Sequence, residues 1–235
     1  RLGAAEYAYI HSDTDEPVGE NEQPVKWIQL FSVRQTWAFF FGKLLTDPIW
    51  WFFLFWLPSY FSSTFQIDLK KPSLELAIVY TATTIGSIGG GYLSGYFIRL
   101  GWPVFRARKT AMLIFAFCVV PIMLAKYATN LWVAVGLISL AAAAHQAWSA
   151  NIFTTASDMF PKKAVSSVVG IGGMAGALGG ILFPMLVGNL LDTYKAMGDI
   201  TAGYNILFVI CGFAYLLAWV IMHFFAPKME KAELP

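Results

Sequence analysis

Charge is what this sequence lacks most. Only 13% of its 235 residues are Asp, Glu, Lys or Arg, about half the share of an ordinary soluble domain. With 57% hydrophobic residues, a water-soluble fold of this length could not cover its apolar core. The net charge of +2 is too small to suggest a nucleic-acid partner.

Cysteine and metal-binding patterns are scarce as well. The two cysteines, Cys118 and Cys211, each lie inside an apolar stretch, which indicates buried thiols rather than a disulfide. The Cys and His residues show no metal-ligand spacing, so we predict no metal site. The first 25 residues are polar and acidic, and no signal peptide is expected there.

In place of charge, the sequence has a series of long apolar stretches. A helix needs about 20 mostly apolar residues to cross a bilayer. Six such stretches follow one another: Trp37–Phe61, Glu75–Leu100, Thr110–Tyr127, Asn130–Phe160, Val165–Leu191 and Ile206–Ala226. We therefore predict an all-α, polytopic membrane bundle of six transmembrane helices, whose solvent is the lipid bilayer.

Polar segments frame this bundle. Residues 1–35 contain an acidic, Pro- and Gly-bearing stretch typical of a linker, followed by the amphipathic segment Val25–Val33, expected at the membrane surface. We assign residues 1–35 to a cytoplasmic linker, 36–227 to the bundle and 228–235 to a cytoplasmic tail. This orientation places eleven Lys and Arg residues in inner loops and four in outer loops, as the positive-inside rule requires.

Two spans carry small residues at intervals of four, which places them on one helical face. They are Ser87, Gly91 and Gly95 in the second span, and Gly172, Gly176 and Gly180 in the fifth. Such a face lets another backbone approach closely, either within this bundle or on a second bundle that slides past it during transport. Four prolines predict kinked helices: Pro48, Pro58, Pro121 and Pro184.

The first span contains two ionisable residues, Lys43 and Asp47. Ionisable groups inside a membrane are costly and rare, so each is a functional hypothesis. Their spacing of four puts them on one face, where they can pair. The pair is either structural, or it meets a charged substrate and breaks during switching. Lys43 suits an anionic substrate, and Asp47 suits coupling to a proton.

The fourth span is the richest in polar groups. Five of its side chains can hydrogen-bond a polar solute: His145, Gln146, Trp148, Ser149 and Asn151. At about 100° per residue, His145 and Ser149 fall together, with Gln146 beside them. Asn151 lies on a second face, with Trp148 toward its edge. One face packs on other helices and the other lines a cavity; we take all five as candidate substrate ligands. Asp158, near the end of the span, is a candidate for gating.

Several segments resemble one transporter family. Gly91–Lys109 (GYLSGYFIRLGWPVFRARK) is similar to a basic cytoplasmic loop of the major facilitator superfamily, although the usual acidic residue of that loop is absent. Three further segments resemble the anion:cation symporter family, and most of all its bacterial hexuronate transporters: Lys43–Trp56, Ala144–Lys163 and Val168–Gly180. The resemblance is to the C-terminal half of such a transporter, with helices seven to twelve.

This resemblance implies one half of a secondary active transporter that takes up hexuronates or related sugar-acid anions by proton symport and alternating access. It implies a multi-pass protein of the bacterial inner membrane, an N-terminal six-helix half as partner, and no cofactor beyond the coupling proton. The alternatives are a carrier of another organic anion, such as galactonate or glucarate, and a non-transporting regulatory or scaffold protein of the same descent. An enzyme is not expected, because Asp47 and His145 lie on different helices without catalytic partners.

Overall fold

Helices account for all regular secondary structure in the described part of the chain, which comprises residues 3, 6–7, 25–68, 70–71 and 73–234 of a computed structural model. Six of the helices are long and apolar enough to cross a membrane, which confirms the predicted bundle. They are α1 (Arg34–Phe65), α2 (Leu74–Arg99), α3 (Val104–Tyr127), α4 (Leu131–Met159), α5 (Lys162–Ala196) and α6 (Ile200–Phe225). Most of the predicted linker lies outside the described residues; a helical turn at Trp27–Leu30 precedes α1.

The ends of these helices follow from local sequence. The three even-numbered helices begin at a side-chain cap, supplied by Ser73, Asn130 and Asp199, each of which accepts a hydrogen bond from a backbone N–H of the first turn. α3 and α5 begin directly after Pro103 and Pro161, because proline has no N–H to lose at a helix start. Short loops then reverse the chain between successive spans.

The four prolines that the sequence places inside spans do not act alike. At Pro121 the chain changes from α-helix to a 3-10 helix over Val120–Tyr127, since proline cannot donate the usual backbone bond. The other three lie inside helices that continue past them: Pro48, Pro58 and Pro184. Only the third span therefore changes its helix type at a predicted kink.

The helices pack as two interlocked triplets. α1 packs on α5 and α6, and α4 packs on α2 and α3; the two groups meet where α3 packs on α6 and where α1 packs on α4. Exchanging the first three helices for the last three reproduces the same pairing. Because helices three apart run in opposite directions in an up-and-down chain, this pairing is that of an inverted repeat, which transporter halves share.

α2 and α4 approach backbone to backbone at Gly86 and Gly90. A Cβ atom on Gly90 would lie 2.5 Å from the Cα of Ala147. The small-residue face predicted on α2 lies beside this contact, and Gly91 and Gly95 have open space around them within the described residues. Of the two alternatives for the face of Ser87, Gly91 and Gly95, packing within this bundle therefore does not hold among the described residues, because α4 takes the neighbouring face. Contact with a second bundle stays a prediction.

In α5 the small-residue face packs within this bundle, which is the first of the two alternatives. Gly172, Gly176 and Gly180 lie, turn by turn, against side chains of α1. Their neighbours there are Phe39, Asp47 and Trp51. The α5 backbone thus lies directly on the part of α1 that carries the ionisable pair.

The described part of the predicted tail, residues 228–234, packs against the end of the bundle. The backbone N–H of Ala232 donates to the last carbonyl of α4 at 2.7 Å. The Lys109 ammonium of α3 donates to the carbonyls of Ala226 at 2.6 Å and Pro227 at 2.7 Å. A cation at a helix C-terminus is favourable, so Lys109 joins α3 to the end of α6.

Candidate functional site

The ion pair predicted in the first span is present. Lys43 Nζ lies 2.7 Å from Asp47 Oδ2, and the two side chains are 7% and 22% exposed. Lys43 Nζ also lies 4.2 Å from the ring centroid of Phe153 on α4, within cation–π range. An ammonium has three donors; Asp47 accepts one, so Lys43 retains capacity for another anionic or polar acceptor.

α5 encloses this pair with glycine. Gly176 faces Asp47 Oδ2, the same oxygen that accepts from Lys43, and a Cβ there would overlap this atom and lie 3.1 Å from Asp47 Cγ. One turn earlier, a Cβ on Gly172 would lie 3.2 Å from Lys43 Cγ. The absence of side chains at these two positions is what allows α5 to lie over the pair.

His145 lies in the centre of the bundle rather than on an open surface. It is 4% exposed, and its ring stacks on Trp50 at 5.2 Å between centroids and 4° between planes. Its Nδ1 hydrogen-bonds the hydroxyl of Tyr215 on α6, and that hydroxyl donates to the carbonyl of Thr46 at 3.3 Å. Since the hydroxyl has one hydrogen, Nδ1 is the donor to it. His145 thus joins α4 to α6 and α1.

The second face of α4 is the packing face. Asn151 Nδ2 donates to the carbonyls of Gly90 and Ala147, both at 2.9 Å. Trp148 is fully buried, with its ring edge-to-face on Tyr215. Among the described residues, no partner reaches Asn151 Oδ1 or Trp148 Nε1. These two candidates therefore hold α4 in the bundle in this conformation.

The first face of α4 is open except at His145, which the helical period placed beside Ser149 but which is turned into the bundle. Gln146 and Ser149 are half-exposed and Phe153 is exposed, and the three lie on successive turns. Neither Gln146 nor Ser149 hydrogen-bonds another residue in the described part of the chain. An amide, a hydroxyl and an aromatic ring, with the Lys43 ammonium beside the ring, can together bind a hydroxylated carboxylate.

Asp158 lies apart from this group. Its carboxylate pairs with Arg108 of α3 at 2.6 Å, and Arg108 also donates to the hydroxyl of Ser94 on α2 at 3.3 Å. Asp158 therefore links three helices at the end of the bundle where the tail packs; its role in gating stays a prediction.

Sequence reasoning missed Phe153, Tyr215 and Arg108. Phe153 follows Ser149 by four residues, so the helical period of the open face could have identified it. Tyr215 and Arg108 reach their partners only through tertiary packing across the bundle, and no local spacing indicates them.

Comparison with known proteins identifies the family. A family model for the Major Facilitator Superfamily matches residues 7–184. The chain belongs to the major facilitator superfamily. It is 28% identical over 209 residues to the hexuronate transporter of Escherichia coli K12, an alignment that covers 87% of this chain and 46% of that protein.

Two further relatives carry sugar-acid names. The "Probable galactarate/D-glucarate transporter GarP" of Escherichia coli K12 is 28% identical, with 88% of this chain and 45% of that protein covered. The D-galactonate transporter of Escherichia coli O6:H1 is 27% identical, with 82% and 46% covered. The chain spans about half the length of these curated relatives. It is a multi-pass membrane protein of a transporter family.

Proposed function

We propose that this chain is one six-helix half of a secondary active transporter that takes up a hexuronate or a related sugar-acid anion by proton symport. The observation that carries the proposal is Lys43: a nearly buried ammonium, more than two turns from either end of its span, beside the open face of α4. Membrane-buried charges of this kind mark substrate pathways. The sugar-acid names of the relatives support the choice of anion.

Each open-face group has a role in this proposal. Lys43 binds the carboxylate of the sugar acid through a charge-assisted hydrogen bond. Gln146 and Ser149 hydrogen-bond its hydroxyl groups, and Phe153 contacts an apolar face of the sugar. Asp47 carries the coupling proton. His145, Trp148 and Asn151 hold α4 in the orientation that presents the other groups.

The proposal includes a second six-helix half. The half-length match to the relatives and the exposed Gly91 face of α2 support a partner that completes the cavity. The two halves then rock about the central site in alternating access. We place the protein in the bacterial inner membrane with both ends of this segment in the cytoplasm, as the distribution of basic residues favours.

The test is uptake by the intact transporter in proteoliposomes with an imposed pH gradient, with labelled glucuronate, galacturonate, galactonate and glucarate as substrates. We expect accumulation of at least one sugar acid that a protonophore abolishes. Lys43→Gln should abolish uptake, whereas the matched control Lys126→Gln, at an exposed span end, should not. Preferential uptake of a neutral hexose, or normal uptake by Lys43→Gln, would refute the proposal.

A further inference from the structure

We infer that Asp47 pairs with Lys43 when the site is empty and that the substrate carboxylate replaces it there. We further infer that Gly176 is a positioning residue, because its lack of a side chain leaves room for Asp47 in this pair. This inference rests on the proposed function, because it assigns how anion and proton become coupled at the same site. Its geometric basis is that one oxygen, Asp47 Oδ2, both accepts from Lys43 at 2.7 Å and lies against Gly176.

The first step is a charge balance. Within the described spans, Lys43 and Asp47 are the only Lys, Arg, Asp or Glu residues more than two turns from a helix end. An anion bound to Lys43 would therefore take the place of Asp47 and leave this carboxylate without a counter-charge among the described residues. An unpaired charge in a low-dielectric interior is strongly unfavourable. Protonation of Asp47 removes it, so anion and proton bind together.

The second step concerns the other groups around Asp47. On α4 the titratable neighbour is His145, and on α6 it is Tyr215, with Cys211 one turn before it. The Tyr215 hydroxyl is already engaged with His145 and the Thr46 carbonyl. α5 contributes glycine and no titratable group at this level. Asp47 is therefore the group placed to take a proton as the anion arrives.

The third step is the role of Gly176. A methyl group there would overlap Oδ2, with Asp47 Cγ at 3.1 Å and Cβ at 3.3 Å. The carboxylate would have to leave its place on Lys43, although neither charge is removed. Gly173, one position earlier, has open space around it. Gly173→Ala is therefore a matched control for the same substitution on the same helix.

The experiment measures the Kd values of glucuronate, galacturonate, galactonate and glucarate for the intact transporter by calorimetry from acidic to neutral pH. In the wild type, one coupled proton makes the Kd fall by up to about tenfold per pH unit as the pH is lowered. Asp47→Asn keeps the shape without the charge, so its Kd should be low and independent of pH. Gly176→Ala should flatten the pH dependence, and Gly173→Ala should keep the wild-type slope.

A double substitution distinguishes an effect of Gly176→Ala on Asp47 from a general effect on the packing of α5. In an Asp47→Ala background the overlap is gone, so adding Gly176→Ala should cause little further change in Kd. The inference is overturned if Asp47→Asn keeps the wild-type pH slope, or if Gly176→Ala behaves like Gly173→Ala. Wild-type protein that binds none of the tested sugar acids at any pH would instead refute the proposed function.

Discussion

Gly90→Ala should loosen the contact between α2 and α4. The new methyl carbon would lie 2.5 Å from the Cα and 2.6 Å from the carbonyl oxygen of Ala147, and these backbone atoms cannot rotate away. An ordinary carbon contact begins at about 3.5 Å, so α2 must retreat by about 1 Å. Overpacking of this kind costs about 1–3 kcal/mol. The retreat also lengthens the Asn151–Gly90 hydrogen bond, worth about 0.6 kcal/mol inside a membrane.

Gly89→Ala is the matched control, because position 89 has open space around it. Alanine is the better helix former by up to about 1 kcal/mol, so the control should be neutral or slightly stabilising. The assay is thermal unfolding of the intact transporter in detergent, followed by tryptophan fluorescence. We expect a lower midpoint for Gly90→Ala alone. Equal midpoints for the two variants would show that the α2–α4 contact is not the close packing described above.

Three further outcomes are expected. Replacing Arg108 or Asp158 with Ala should lower stability by about 1 kcal/mol, and the double variant should cost little more than either alone in a double-mutant cycle; additive losses would refute the ion pair. Lys109→Met should speed hydrogen exchange of the backbone after α6, because its ammonium no longer binds the carbonyls there; unchanged exchange would contradict this role. Gln146→Ala should raise the KM for uptake without changing the unfolding midpoint, whereas Asn151→Ala should lower the midpoint; the reverse pattern would exchange the two faces of α4.

Local spacing predicted those parts of the site that lie within one helix. The pair of Lys43 and Asp47 follows from a separation of four on one helical face, and the structure contains it. Helical period also separates Gln146 and Ser149 from Asn151 on α4, but it placed His145 beside Ser149, whereas His145 is buried. Which face packs could not be predicted, because the orientation of a helix about its own axis depends on its neighbours. Asn151 faces the interior, where its Nδ2 donates a hydrogen bond to the Gly90 carbonyl of α2.

The small-residue faces show the same limit. On α5 the glycines at intervals of four meet α1, one of the two alternatives that their spacing allowed. On α2 the similar series that includes Gly91 is open, and the contact uses Gly86 and Gly90 instead. Both series satisfy the spacing rule for close approach, since α2 is rich in glycine on more than one side. Only the position of α4 decides between them.

The interlocked pairing of helices has a consequence for biosynthesis. The neighbours that cover α1 are the last two spans to be made, so α1 must enter the bilayer during translation before they exist. A lone Lys or Asp near the centre of an inserting helix costs about 2.5–3.5 kcal/mol. Lys43 and Asp47 can neutralise each other within a single turn, without any other part of the protein. The nascent helix therefore carries its own counter-ion into the lipid, and its later neighbours need only close over a pair that has already formed.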